Sequence, residues 1–178
     1  MSEPGFLRGM VDWPKSRKAG PSAAPARGSA ERERGMDEKV LATYDGSLRR
    51  CNSSRGFLDR FYETFLASSP AVRMKFDGTD LVRQKRALRA SLHLMVLAAE
   101  DERNGPERYL RGFAARHSRA QLDIGAELYD LWLDSILDAV RVHDPEFGPE
   151  VEKAWEAVMT VGIKYLLSHY NSPASPHD

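Results

Sequence analysis

"FAARHSRAQLDIGAELYDLWL", Phe113 to Leu133, joins the end of one amphipathic stretch to the start of another. Leu110, Phe113 and His117 stand at i, i+3 and i+7, on one face of a helix that ends near Ser118. Asp123 is placed to cap the next helix, which runs to about His143. His117 thus belongs to an apolar face at a helix end. By its own pattern it reads first as a satisfied structural histidine, with the ligand of a metal or cofactor as the alternative.

Working outward, the same periodicity recurs. The spacing predicts helices over about 37–51 and to about 68 after a cap at Ser53 or Ser54. It predicts a short turn of helix from Pro70 to near Phe76, and a long helix over 81–101 capped by Asp77, Thr79 or Asp80. Further helices start at Pro106 and at Pro149, the latter running to about Tyr170. No stretch alternates at period two for long enough to make a strand. The expectation is an all-α domain of six or seven helices over residues 36–171. A Pro-, Gly-, Ser- and charge-rich flexible tail is expected over 1–35 and a short C-terminal tail over 172–178.

Composition narrows the function classes. Lys plus Arg and Asp plus Glu both number 26, so bulk charge favours neither nucleic acid nor an anionic membrane surface. The one cysteine, Cys51, forms no internal disulfide and belongs to no CxxCH attachment site; it reads as a small core residue. No run of about 20 apolar residues and no secretory leader is present, so a soluble cytoplasmic protein is expected.

Two other polar residues fall on inward stripes. Tyr62 lies within Leu58, Phe61, Phe65 and Leu66, and Gln84 precedes Leu88 by one turn on the face of Leu81, Leu92 and Met95. Taken singly they read as a core tyrosine and a helix-boundary glutamine. Three inward polar groups on three helices, one of them an imidazole, have a different meaning together. A bare zinc ion wants about four ligands, and no HExxH, ExxH or Cys/His cluster supplies them. One histidine is enough for haem, whose porphyrin contributes four nitrogens and whose apolar pocket contributes most of the binding energy.

These residues resemble the bacterial globins over about 37–170. "FYETFLASSPAVRMKF" is similar to the second and third globin helices, with Phe76 fourteen residues after Tyr62. "QKRALRASL" resembles the distal helix, "RHSRAQLDIGAELY" the proximal segment, and "KAWEAVMTVGIKYL" the last helix around Trp155. The resemblance implies a three-on-three helical sandwich holding non-covalent haem b. His117 would be the iron ligand, Tyr62, Gln84 and Leu88 the distal residues, and Phe76, Leu88, Leu110, Phe113, Leu122 and Ile124 the lining. It also implies a diatomic ligand (dioxygen, nitric oxide or carbon monoxide). Tyr129 matches a tyrosine near the proximal histidine.

Two departures stand out. The interval from His117 to Tyr129 is about two residues longer than in flavohaemoglobins, and Tyr170 stands where those enzymes tend to carry a glutamate. The longer interval and the "RQK" run are closer to sensor-type globins, and the tyrosine argues against peroxidase-like or strong dioxygenase behaviour. No GxGxxG occurs, so a reductase or signalling partner is expected to be a separate protein, and the last two helices are a candidate homodimer surface. Oxygen binding or gas sensing is the expected role. Nitric oxide dioxygenation with an external reductase, and a haem-free globin-like interaction module, are the alternatives.

Overall fold

The computed structural model describes residues 36–172, so the expected N-terminal tail and all but Ser172 of the expected C-terminal tail lie outside the described residues. Within that span the chain forms seven α-helices and no strand. They are α1 (Glu38–Ser53), α2 (Phe57–Ser68), α3 (Pro70–Lys75), α4 (Leu81–Glu100), α5 (Gly105–His117), α6 (Ala126–His143) and α7 (Pro149–Ser168). None of the seven is long and apolar enough to cross a membrane.

The helix starts follow local chemistry. The Asp37 carboxylate accepts from the Lys39 amide at 2.7 Å, and the Ser69 hydroxyl accepts from the Ala71 amide at 3.1 Å, just before Pro70. Asp80 accepts from the amides of Val82 and Arg83.

Two of the expected caps are used differently. Ser54 ends α1, and its hydroxyl lies 2.8 Å from His143 Nδ1; α2 begins instead at Gly56, whose φ of +88° suits a residue without a Cβ. Asp123 also has positive φ, at 51°, and its carboxylate is engaged elsewhere, so α6 starts three residues later at Ala126.

The helices pack around one shared hydrophobic core. The firmest pairs are α2 with α6 and α4 with α5, while α7 closes against α1, α4 and α5. Trp155 on α7 is wholly buried at the centre. Its ring lies 4.7 Å from Tyr44 and 6.3 Å from Phe57, and its indole N–H donates to Ser47 Oγ at 2.9 Å. The Tyr44 hydroxyl in turn donates to the Leu92 carbonyl at 2.9 Å. Two amphipathic rings thereby bring α1, α4 and α7 together with their polar atoms satisfied.

Gly162 is where α7 comes closest to its neighbours. A Cβ there would collide with the Met95 thioether and press on Leu110. Gly162→Ala is expected to cost about 1–3 kcal/mol, the usual range for overpacking, although methionine can yield more than most residues. Urea unfolding at unchanged m-value measures it.

Candidate cofactor pocket

The helix pairs leave a cavity of about 150 Å³ between them. Phe61, Tyr62 and Phe65 of α2 form part of its wall, with Phe76 just after α3. Gln84, Leu88 and Met95 enter from α4, Phe113 and His117 from α5, and Ile124 from the following loop. Leu128, Tyr129 and Trp132 of α6, with Ile163 and Leu166 of α7, add to the apolar lining. The aromatic walls meet edge to face. Phe76 lies 5.9 Å from Tyr62 and 5.8 Å from Phe65, and Phe61 lies 5.9 Å from Trp132.

His117 is the last residue of α5, and its ring is fixed from one side. Nδ1 lies 2.7 Å from the Phe113 carbonyl oxygen one turn back. A carbonyl only accepts, so Nδ1 carries the proton and Nε2 keeps its lone pair. Burial lowers the imidazole pKa below its usual 6.5; the Phe113 bond acts the other way and the neighbouring Arg116 charge lowers it further. The ring is therefore neutral at pH 7. The chain beyond it turns back at once, with the Ile124 amide donating to the His117 carbonyl at 3.1 Å and the Asp123 amide to Ser118 at 2.9 Å.

Tyr62 is 3% exposed. Burial pushes its phenol well above the ordinary tyrosine pKa, against a smaller opposing effect from the Gln84 side chain. The phenol is thus a neutral O–H donor beside a second potential donor, the Gln84 amide. Tyr129 also borders the cavity, its ring 6.3 Å from that of His117, and burial raises its phenol too. Tyr170 is not in the wall. Its hydroxyl donates to Asp123 Oδ1 at 2.5 Å, in the loop that follows His117.

Of the residues singled out from sequence, Tyr62, Phe76, Gln84, Leu88, Phe113, His117 and Ile124 meet around this one cavity. Leu110 is fully buried but lies behind the wall, where α5 packs on α7 near Gly162. Leu122 is 44% exposed and stays outside the lining. Sequence reasoning passed over Leu128, Ile163 and Leu166, whose apolar side chains carry no mark separating a cavity face from any other core face. It also passed over Lys75, because a lysine ordinarily signals solvent.

The donor set defines what could sit here. Among the described residues no group of three or more His, Cys, Asp or Glu side chains is arranged to hold a metal ion. A single neutral imidazole in an apolar cavity fits instead a metal whose other ligands arrive with an organic macrocycle.

The comparisons agree with this geometry. A family model described as Globin matches residues 59–166. A protein from Pseudomonas aeruginosa PAO1, whose crystal structure is described as structurally highly homologous to a human haemoglobin, is 45% identical to the chain. That match covers 75% of this chain and 99% of the other, with a TM-score of 0.70. No curated protein matches. The family model spans more than half of the chain and the solved relative nearly all of its own length, and on both grounds the chain belongs to the globin family.

Proposed function

We propose that this globin binds haem b non-covalently through His117 and takes up dioxygen or another diatomic gas reversibly, as an oxygen-binding protein or gas sensor. One observation carries the reading. The Nδ1 bond to Phe113 leaves Nε2 as a lone-pair donor on a neutral ring that borders an apolar cavity. When bound, haem supplies an iron with one position open to a diatomic ligand. Tyr62 and Gln84 would donate hydrogen bonds to that ligand. Phe61, Phe65, Phe76 and Leu88 exclude water and keep the surroundings at low dielectric, which strengthens those bonds.

His117 donates to a neutral carbonyl and not to a carboxylate, which leaves its imidazole a moderate electron donor. That favours reversible binding over redox turnover such as nitric oxide dioxygenation.

The test is the absorption spectrum of purified protein reconstituted with haemin. A Soret band that shifts on reduction and on adding carbon monoxide supports the reading. No Soret band after reconstitution sinks it in favour of a haem-free globin. In the haem-loaded protein, Tyr62→Phe should raise the oxygen dissociation rate about tenfold, the equivalent of about 1.4 kcal/mol from one lost bond. Stopped-flow displacement by carbon monoxide measures this, and an unchanged rate would remove Tyr62 from the ligand's hydrogen-bond partners.

A further inference from the structure

One side chain ties the α3 side of the cavity to the loop that follows His117. The six-residue helix α3 packs chiefly on α2. Its last residue, Lys75, borders the cavity and reaches across to the loop between α5 and α6. There Nζ donates to the Leu122 carbonyl at 2.7 Å and the Asp123 carbonyl at 3.0 Å, and Asp123 Oδ2 lies 3.8 Å away. Three oxygens thus surround an ammonium that has three protons to give.

The loop they hold is tight. Its amides at Leu122, Asp123 and Ile124 bond back to Arg116, Ser118 and His117, and Asp123 sits in the left-handed region at φ 51°. The Lys75 side chain is 34% exposed, so water can replace its acceptors when it lets go. A cavity of about 150 Å³ is smaller than the roughly 300–1,000 Å³ of typical ligand pockets, so admitting a macrocycle requires the walls to part. The helix pairs α2 with α6 and α4 with α5 are firmly packed, whereas a surface ammonium spans this seam.

We propose that Lys75 is a latch. Its ammonium pins the loop that follows His117 to α3, and its release opens the seam through which the pocket's occupant enters and leaves. The occupant part of this inference rests on the haem reading above; the pinning of the loop does not.

The experiment has two arms, run on the full chain and its Lys75→Met and Lys75→Arg variants. In the first, hydrogen exchange is followed in protein without haem. The amides of Leu122, Asp123 and Ile124 should exchange about tenfold faster in Lys75→Met, while those of the core helix at Trp155 and Val158 stay within about twofold of the parent. Lys75→Arg, which keeps a charged donor, should restore most of the loop's protection. Loop rates within twofold of the parent, or an equal rise at Val158, would overturn the latch.

In the second arm, haemin-loaded protein is mixed with excess apomyoglobin. Lys75→Met should lose haemin about tenfold faster than the parent, with Lys75→Arg close to the parent; equal rates in all three overturn the seam. A parent that never takes up haemin refutes the proposed function and with it the seam's role, while the exchange arm still decides whether Lys75 pins the loop.

Discussion

Replacing His117 with alanine is expected to reduce haemin affinity at least 100-fold and to remove the spectrum of a histidine-ligated iron. The imidazole is the one metal-ligating side chain in the cavity wall placed by a fixed hydrogen bond, through Nδ1 to Phe113 at 2.7 Å. A 100-fold loss corresponds to about 2.8 kcal/mol, modest for a metal–ligand bond because the apolar walls would still hold the porphyrin. The fold should survive, since the substitution removes one part-buried hydrogen bond worth about 1 kcal/mol and none of the central aromatic packing. Added imidazole should restore ligation by entering the space left behind. An unaltered spectrum in the variant would exclude His117 as the ligand.

The pH dependence of binding has a definite sign. Protonated Nε2 cannot ligate, so a proton competes with the metal. Burial lowers the His117 pKa below 6.5, so the neutral ring persists to lower pH than in a free histidine. Haemin affinity should therefore fall as pH drops through the lowered value, at a lower pH than the titration of a free histidine would give.

How much of this was legible beforehand depended on whether a residue's role is local or collective. Helices announce themselves through period and caps, so Asp37, Asp80, Pro70 and Pro149 mark true boundaries. Ser54 and Asp123 misled because a cap is a competition. Each has a partner distant in sequence, His143 and Tyr170, that no local pattern exposes. In the cavity, Tyr62, Gln84 and His117 were visible because a polar group on an apolar stripe demands a reason. Leu110 and Leu122 were assigned to the lining through family resemblance, and the packing puts one behind the wall and the other outside it. Lys75 was invisible for the opposite reason: its role depends on two backbone oxygens about fifty residues away, which the sequence cannot encode as a side-chain pattern.

Asp144→Ala is expected to be among the most destabilising substitutions in the chain, at about 3 kcal/mol. Asp144 lies in the turn between α6 and α7, with its carboxylate fully buried. Arg50 of α1 holds both oxygens, Nε to Oδ1 at 2.5 Å and Nη2 to Oδ2 at 2.9 Å, and the Glu146 amide donates to Oδ1 at 2.9 Å. Removing one partner of a buried ion pair costs about 3–5 kcal/mol because the other charge is stranded. Here the lower figure applies, since the Arg50 side chain is 27% exposed and keeps Glu146 at 3.1 Å. For a domain of this size 3 kcal/mol lowers Tm by roughly 10 °C.

The direction with pH follows from the same contacts. Burial alone would raise the Asp144 pKa, but the bonds from Arg50, Ser47 and the Glu146 amide outweigh it and hold the value below the ordinary 3.8. The folded state therefore binds this proton less readily than the unfolded chain. Its contribution to stability is complete above about pH 4 and is lost as pH falls through the lowered value. Asp144→Asn preserves the shape but cannot titrate, so it should start less stable at neutral pH and lose less than the parent between pH 5 and pH 2. Parallel acid unfolding curves for the two proteins would mean that another group, and not this ion pair between α1 and the α6–α7 turn, governs the acid limit.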